Sequence, residues 1–313
     1  MVGYLQGNGE ILWESADITD KEQLRKLFVS HGPVRTVFHP CAITDIRVCA
    51  GPNVDRVNVE GTRNVVELCI EYGVHGLIYT STVDVLHDNV KEMRLIKEHD
   101  LPLVSDESNS TRYGRTKAIA EGIVSAASGR GAPGNEHHEA LRTVILRVGH
   151  LFGPGDPLIE ACNDVPIAII GREHVLHSVI FVENAAAAHV ASAIQLLEDK
   201  GAGAEMSGRT FWLKDVDVNY IRFYREVLCG NLDLREEEMT TIKCRSLAPP
   251  ETSVPCPSKK RQVVWKVPYQ LLCMVGLLVD CLVWLVYSLT GYQLGHPVKS
   301  FGYFPVSHRL FFW

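Results

Sequence analysis

The strongest constraint on the fold is a regular alternation between short apolar segments and longer segments with helical periodicity. The apolar segments predict strands at Ile11–Ala16, Val34–Phe38, Leu77–Tyr79 and Thr143–Leu146. The intervening segments predict helices at Lys21–Val29, at 54–72 and at Arg112–Ala127. Strands that alternate with helices pack as a parallel sheet with right-handed crossovers. The sequence therefore predicts a doubly wound α/β fold whose ligand lies at the carboxyl ends of the strands.

A looser pattern follows this core. A strand is predicted at Val179–Val182, a helix at Asn184–Leu197, a strand at Phe211–Leu213 and a helix near Val218–Leu228. We predict five regions: a core at 1–157, a substrate-side region with returning core elements at 158–244, a basic Pro/Ser linker at 245–266, a membrane helix at 267–292 and a tail at 293–313.

The predicted membrane helix rests on Leu271–Tyr287, an apolar run interrupted by one charge, Asp280. The three residues that follow extend it toward the roughly 20 residues needed to span a bilayer. Basic residues crowd its N-terminal side, at Lys259, Lys260, Arg261 and Lys266. By the positive-inside rule, they predict that the preceding domain lies in the cytosol. A helix in the membrane interface and a buried core helix are the alternatives, because Asp280 is costly in lipid.

The charge and the cysteine content argue against two other kinds of partner. A net charge of -6 and a pI near 6.1 give no electrostatic footprint for nucleic acid. The 9 cysteines form no C-x-x-C pair, which is typical of reduced thiols in the cytosol. The spaced pair His174 and His177 and the adjacent pair His137 and His138 come without the partners of a zinc site, so we expect no metal.

Acid–base chemistry is predicted where the third strand ends and the next helix begins. Tyr113 and Lys117 are four residues apart and share one face of that helix. A lysine ammonium beside the tyrosine would lower the pKa of the phenol, so that it could exchange a proton with a substrate hydroxyl near neutral pH. A second hydroxyl, from Thr82 or Ser81 at the strand end, would position the substrate oxygen. The spacing alone also fits a packing tyrosine and a solvated lysine.

Five motifs occur in collinear order: NVEGTRNV at 58–65, YTSTVDV at 79–85, YGRTK at 113–117, LRVGHLFGPGD at 146–156 and FVENAAAAHV at 181–190. Together they resemble motifs of the extended short-chain dehydrogenase/reductases, and most of all those of the 3β-hydroxysteroid dehydrogenase/isomerase family. Later, VPYQLL at 267–272 resembles the start of the family's membrane segment, and FGYFP at 301–305 resembles its late turn. The resemblance implies a Rossmann-like fold.

The resemblance also implies roles for individual residues. It places the family's base on Tyr113, its lysine on Lys117, its catalytic hydroxyl on Thr82 with Ser81 beside it, and its helix asparagine on Asn58. It implies that the cofactor is NAD or NADP, with NAD favoured. Lys117 would also bind the nicotinamide ribose of that cofactor. The adenine is expected near Asp17 and Ile18, and the cofactor ribose near the loop His39, Pro40, Cys41 and Ala42.

One part of the family pattern is absent from the sequence. The family begins with a strand, a glycine-rich turn and a helix whose N-terminus holds the pyrophosphate. Gly3, Gly7 and Gly9 lie in no such context. In the family's strand order 3-2-1-4-5-6, the first predicted strand therefore matches strand 3, and strands 1 and 2 are missing. We expect that the sequence is a fragment, a splice form or an imperfect gene model.

The resemblance implies oxidation of the 3β-hydroxyl of a sterol or steroid by an enzyme of steroid metabolism. We expect it at the membrane of the endoplasmic reticulum, with its catalytic domain cytosolic and a homodimer as a further expectation. Two alternatives stay open. A nucleotide-sugar epimerase or reductase shares the Tyr-Lys pair, and an inactive membrane-tethered fragment or paralogue would result from loss of the pyrophosphate loop.

Overall fold

The computed structural model describes residues 2–5, 11–44, 51–88, 93, 96–108, 110–131, 140–154, 156, 176–197, 202–219 and 223. The predicted linker, membrane helix and tail lie outside these residues, as do residues 158–175. Within the described residues, no helix has both the length and the apolar character needed to cross a bilayer.

The elements follow the predicted alternation. In chain order they are β1 (Val2–Leu5), β2 (Ile11–Glu14), α1 (Lys21–His31), β3 (Thr36–His39), α2 (Asn53–Asp55), a π-helical turn (Arg56–Gly61), α3 (Thr62–Glu71), β4 (Gly76–Thr82), a 3₁₀ turn (Val83–Leu86), α4 (Arg112–Ala127), β5 (Arg142–Val148), β6 (His150–Phe152), β7 (Leu176–Phe181), α5 (Val182–Leu196), α6 (Ala202–Met206), β8 (Arg209–Leu213) and β9 (Val216–Asn219).

The central sheet has four parallel strands in the order β3-β4-β5-β8. Strands β4 and β5 lie in its middle and read as apolar runs, because helices cover both faces of a parallel sheet. The first predicted strand does not join this sheet. Strand β2 pairs antiparallel with β1 in a separate hairpin, and among the described strands β3 pairs with β4 alone. The Rossmann-like parallel sheet is therefore confirmed, with β3 at its edge.

Alternating residues of β4 build the two faces of the core. Leu77 and Tyr79 pack toward α1, α3 and α4, in a cluster with Leu68 and Val124. Ile78 points to the opposite face, where it packs with α5 and α6. This alternation follows from the two-residue period of a strand. It also decides which side chains at the end of β4 can reach α4.

The long helix predicted at 54–72 is present, and its first half is wound more widely than an α-helix. Residues Arg56–Gly61 form a π-helical turn that leads into α3. Gly61 ends this turn beneath Ile18, and a Cβ added at Gly61 would lie 2.5 Å from the Ile18 Cδ1 atom. Glycine thus lets the loop after β2 pack directly on the helix.

A second sheet, in the order β6-β7-β9, adjoins the carboxyl end of β5. Gly149 joins the two sheets and lies so close to β7 that an added Cβ would stand 2.5 Å from the Ser178 carbonyl oxygen. The helix predicted near Val218–Leu228 is wrong at its start. Val218 lies in strand β9, because Val216 and Val218 alternate with polar residues and β9 pairs antiparallel with β7.

Candidate active site

The end of β4 and the start of α4 meet at one point of the central sheet. Thr82 ends β4, and its hydroxyl accepts a hydrogen bond from the backbone N–H of Asp84, the second residue of the 3₁₀ turn. Thr111 caps α4 by accepting from the N–H of Gly114 at 2.9 Å. A Cβ at Gly114 would lie 3.0 Å from the Asp84 carbonyl oxygen, so glycine lets the first turn of α4 approach the 3₁₀ turn.

Tyr113 lies in this first turn of α4, and the Thr82 hydroxyl stands close to its phenol. Burial raises the pKa of Tyr113 above that of a free tyrosine, and the nearby Asp84 carboxyl raises it further. The Thr82 hydrogen bond acts in the opposite direction. The predicted lowering of the tyrosine pKa is therefore wrong for this arrangement, because loss of solvent outweighs the stabilisation of the phenolate.

Lys117 lies one helical turn beyond Tyr113, yet its ammonium is directed to the sheet. Its Nζ donates to the Thr80 carbonyl oxygen at 2.7 Å and stands 4.1 Å from the centre of the Tyr79 ring. Only 2% of Lys117 is exposed. Burial lowers the pKa of Lys117 to about 7, while Glu121 favours the charged form. The ammonium thus lies at the carboxyl ends of β3 and β4.

Ser81 points away from Thr82 and into a buried ion pair. Its hydroxyl donates to Glu121 Oε2 at 2.7 Å. The Glu121 carboxylate accepts hydrogen bonds from two nitrogens of Arg147. The third Arg147 nitrogen donates to the Glu98 carbonyl oxygen at 2.6 Å. The sequence left Ser81 and Thr82 as alternatives for the second hydroxyl. Thr82 lies near the Tyr113 phenol, whereas Ser81 binds Glu121 and so helps to hold α4 on the sheet.

Asn58 lies in the π-helical turn and joins two parts of the site. Its Oδ1 accepts from the backbone N–H of Ile43 at 2.8 Å, and its Nδ2 donates to the Ile43 carbonyl oxygen at 3.1 Å and to the Thr116 hydroxyl at 3.0 Å. The side chain is 1% exposed. Asn58 therefore ties the loop after β3 to α4, in a π turn of the kind often found at functional sites.

The predicted cofactor residues gather along the same edge of the sheet. His39 ends β3, where its Nε2 lies 2.9 Å from the Thr62 hydroxyl, and burial with the Lys117 charge lowers its pKa to about 3. Pro40 and Cys41 are exposed, and Ala42 is partly buried. Although Cys41 is exposed as a residue, partial desolvation of its thiol raises the pKa of that thiol, which lies within electrostatic range of Lys117 and Asp17.

The turn after β2 completes this edge. Asp17 is exposed, and its carboxylate accepts from the N–H of Thr19 at 2.9 Å, which holds its pKa below the usual range. Ile18 is buried in the core beneath it. Asp17 is thus presented to solvent beside the loop after β3, and Ile18 acts by packing.

These residues fit part of a nicotinamide dinucleotide. A charged lysine, an open loop and an exposed carboxylate lie together at the carboxyl ends of parallel strands, where dinucleotides bind in this fold. The pyrophosphate requires free backbone N–H groups at a helix start. The starts of α1 and α4 are instead capped by Asp20 and Thr111. The described residues therefore suit the two riboses and the bases of the dinucleotide. The starts of α1 and α4 do not offer a binding site for its pyrophosphate.

Three polar residues around the site were not predicted: Asp84, Glu121 and Arg147. Two of them carry a local signal, since Glu121 follows Lys117 by four residues on the same helix face and Asp84 follows Thr82 by two. Arg147 has no such local signal, because only the parallel register of β4 and β5 places it opposite Ser81. Among the described residues, no group of three or more ligand side chains comes together as a metal site.

Comparison with known proteins identifies a family to which the chain is similar. The profile of the 3-beta hydroxysteroid dehydrogenase/isomerase family matches residues 8–244. The chain is 29% identical over 231 residues to the 3beta-hydroxysteroid-dehydrogenase/decarboxylase isoform 2 of Arabidopsis thaliana, covering 71% of this chain and 38% of that protein. It is 30% identical to the decarboxylating sterol-4-alpha-carboxylate 3-dehydrogenase ERG26 of Saccharomyces cerevisiae, covering 67% of this chain and 58% of that protein.

A solved structure shows the same fold. Epimerase Mth375 of Methanothermobacter thermautotrophicus superimposes with a TM-score of 0.54 at 21% identity, covering 68% of this chain and 60% of that one. The chain spans about half the length of the curated relatives it matches. The family match covers most of the chain, including every proposed site residue. The chain therefore belongs to the 3-beta hydroxysteroid dehydrogenase/isomerase family.

Proposed function

We propose that this chain carries the acid–base site of an oxidoreductase that interconverts the 3β-hydroxyl of a sterol or steroid and the corresponding ketone. The observation that carries the proposal is the proximity of the Thr82 hydroxyl to the Tyr113 phenol, with the Lys117 ammonium bound to the Thr80 carbonyl oxygen of the same strand. These three residues come from two elements and meet where ligands bind in a parallel α/β sheet.

In this mechanism Tyr113 exchanges the proton of the substrate hydroxyl, and Thr82 fixes the substrate oxygen beside the phenol. Burial keeps Tyr113 a neutral phenol, which suits proton donation to a ketone. In the oxidative direction the phenol must pass its own proton on as it takes the proton of the alcohol. A bound nicotinamide dinucleotide would accept the hydride from the carbon.

The cofactor would lie along the edge formed by the loops after β2, β3 and β4. Lys117 would hold the nicotinamide ribose, residues 39–42 would border a ribose, and Asp17 would face the adenine side. We favour NAD over NADP as the cofactor. Asn58 supports this placement because it fixes the Ile43 backbone, next to the 39–42 loop, against α4.

The substrate class rests on the relatives. Two of them are named as a 3beta-hydroxysteroid dehydrogenase and a sterol-4-alpha-carboxylate 3-dehydrogenase, and both names include decarboxylation. An apolar sterol also suits a chain whose residues 271–287 read as a membrane-directed helix. We propose that the protein works at a membrane, that of the endoplasmic reticulum, with the described domain on the cytosolic side.

Replacing Tyr113 tests the function directly. Oxidation of a 3β-hydroxysterol with NAD is measured in detergent, with the family's N-terminal strand, glycine-rich turn and helix supplied ahead of the chain. Tyr113→Phe should lower turnover by roughly 10²- to 10⁴-fold, because general acid–base catalysis is lost. Tyr72→Phe, a matched change at the C-cap of α3 where the ring packs on Phe28, should leave turnover unchanged. A Tyr113→Phe rate above a tenth of the wild-type rate would contradict the assignment.

Ser81 and Thr82 form a second matched pair. Thr82→Val should lower turnover by about 10-fold or more, because the valine has no hydroxyl to hold the substrate oxygen. Ser81→Ala should instead lower stability by about 1 kcal/mol through loss of its hydrogen bond to Glu121 and leave turnover nearly unchanged. Equal losses of turnover in both variants would show that Thr82 has no special role.

A further inference from the structure

The Lys117 ammonium lies against an aromatic ring that the proposed mechanism does not use. Its Nζ stands 4.1 Å from the centre of the Tyr79 ring, a distance at which a cation is attracted to the face of an aromatic ring. It also donates to the carbonyl oxygen of the next residue, Thr80, at 2.7 Å. Two successive residues of β4 therefore fix the position of the ammonium, one through its ring and the other through its backbone.

The Tyr79 ring is fixed by its own surroundings. Tyr79 is fully buried, and the parallel register of β3 and β4 places it opposite His39. The centres of the two rings are 5.5 Å apart. The Nε2 atom of His39 is itself held 2.9 Å from the Thr62 hydroxyl. Burial and the Lys117 charge lower the pKa of His39 to about 3, so His39 stays neutral and adds no positive charge beside the ring.

The Tyr79 hydroxyl does not explain the contact with the ammonium. It is buried and has no hydrogen-bond partner in the part of the chain that the structure describes. The nearby Thr62 hydroxyl already donates to the Asn58 carbonyl oxygen at 2.7 Å. Burial raises the pKa of Tyr79 well above its usual range. The phenol therefore stays neutral, and the attraction on the ammonium comes from the ring face rather than from a phenolate.

A ring and a carboxylate would affect this ammonium differently. A carboxylate would neutralise most of its charge, whereas a ring attracts the cation and leaves its charge available to a ligand. An ammonium has three N–H donors. The Thr80 carbonyl oxygen is the one hydrogen-bond acceptor of Lys117 among the described residues. Donors of the ammonium therefore remain for an incoming ligand.

We propose, on the basis of the function proposed above, that Tyr79 is a positioning residue whose ring face holds the Lys117 ammonium for the nicotinamide ribose without neutralising it. Because Tyr79 is fully buried, it acts through Lys117. Weakening the ring attraction should lower the pKa of Lys117 further, since burial already disfavours the charged form. The other titratable groups around the ammonium are Glu121 and Tyr113 on α4, His39 at the end of β3 and Cys41 after it.

A series of fluorinated rings at position 79 tests the contact on the full chain in detergent. Phenylalanine, 3,5-difluorophenylalanine and 3,4,5-trifluorophenylalanine keep the shape of the ring, while each fluorine weakens the negative charge on its face. Lysine labelled with ¹³C at Cε is followed by NMR from pH 5 to 9, and Lys117→Met assigns the signal. Wild type and Tyr79→Phe should titrate near pH 7, and the trifluorinated ring should lower the pKa of Lys117 by roughly one pH unit.

Two further variants separate the ring face from general packing. Tyr79→Leu removes the ring and should lower the pKa of Lys117 by a similar amount. Phe28→Leu removes a ring packed against the same core cluster and should lower stability without changing that pKa. An unchanged pKa of Lys117 across the fluorinated series overturns the proposal, as does an equal fall in Phe28→Leu. The series decides the matter even if Tyr79→Leu does not fold, because its rings keep the native shape.

The KM for NAD gives the second readout, in the chain supplied with the N-terminal unit. Lowering a pKa of about 7 by one pH unit removes about nine-tenths of the charged lysine at pH 8, but less than about a tenth of it at pH 5. The trifluorinated ring should therefore raise the KM for NAD roughly 10-fold at pH 8 and leave it nearly unchanged at pH 5. An equal rise at both pH values would show a packing defect and refute the positioning role.

The two readouts also separate this proposal from the function on which it rests. Full activity in Tyr113→Phe refutes the proposed function itself, whatever the titration of Lys117 shows. An inactive Tyr113→Phe together with an unchanged pKa of Lys117 across the fluorinated series refutes the role of Tyr79 alone.

Discussion

At the scale of single residues, Lys117 shows how burial competes with hydrogen bonding. Its ammonium has a carbonyl partner at 2.7 Å and an aromatic ring at 4.1 Å, and Glu121 stabilises its charge. These contacts do not offset the loss of water, so the pKa falls to about 7. A lysine of this kind is useful next to a cofactor, because a ribose hydroxyl or a substrate can restore the missing hydrogen bonds.

This burial predicts a pH dependence of stability. Unfolded Lys117 binds a proton up to its ordinary pKa of 10.5, whereas folded Lys117 releases it near 7. The unfolded state therefore holds more protons between these values, and the free energy of unfolding should rise with pH. We expect a gain of roughly 1 to 2 kcal/mol between pH 7 and pH 8.5 in denaturant titrations.

Lys117→Met should remove that gain, and it should also weaken cofactor binding. Lys26→Met, a change at an exposed position of α1, should preserve it. The attribution to Lys117 is refuted if the methionine variant keeps the wild-type slope.

At the scale of elements, α4 is fixed to the sheet by the ion pair between Glu121 and Arg147. Both side chains are 4% exposed, and Ser81 and the Glu98 carbonyl oxygen satisfy further atoms of the pair. Arg147 also stands 5.9 Å from the centre of the Trp212 ring. The pair therefore holds α4, with Tyr113 and Lys117 on it, in register with β4 and β5.

Breaking this pair on one side should be costly. Arg147→Met or Glu121→Gln should each lower the free energy of unfolding by about 3 to 5 kcal/mol, because one charge is left buried without its partner. Replacing both residues with apolar ones should recover part of the loss. The exposed pair Lys21 and Glu67, at 2.6 Å, is the control, and its removal should cost less than about 1 kcal/mol. Similar costs at the two pairs would contradict the argument from burial.

At the scale of the whole molecule, β3 lies at the edge of the central sheet that the structure describes. Strand β3 pairs with β4 alone among the described strands, and β2 lies in a separate hairpin. Among the described elements, no strand leads through a glycine-rich turn into a helix that could bind a pyrophosphate. The open side of β3 is therefore where such a unit would pair.

This leads to a prediction about cofactor binding. The 313-residue chain in detergent should show no saturable binding of NAD(H) or NADP(H) at millimolar concentration in calorimetry. Adding a family-type βαβ unit before it should restore binding, because the unit supplies backbone N–H groups and a helix start for the pyrophosphate. Micromolar binding by the chain alone would show that another segment or a partner builds the phosphate site.

Membrane attachment is tested on the segment that lies outside the described residues. Deleting residues 262–292 should move the protein from the membrane pellet to the soluble or aggregated fraction, since the apolar run at 271–287 is removed. Resistance of the intact protein to carbonate extraction is expected for a spanning helix. Release by carbonate would instead indicate a helix lying in the interface.

Sequence pattern alone predicted the alternation of strands and helices, the parallel sheet and the pairing of Tyr113 with Lys117 on one helix face. These are local properties, because apolar periodicity and helical spacing act over a few residues. Helix α4 was predicted with the bounds that the structure has, and its start is capped by Thr111. The site residues stay a proposal, although the fold brings Tyr113, Thr82 and Lys117 to one place.

Tertiary structure decided the environment of each of those residues. It turned Ser81 toward Glu121 and Thr82 toward Tyr113, because successive side chains of a strand point to opposite faces. It raised the pKa of Tyr113, against the prediction, and placed Val218 in a strand that β7 completes. Desolvation, strand register and long-range pairing depend on residues far apart in the chain, and no short stretch of sequence contains them.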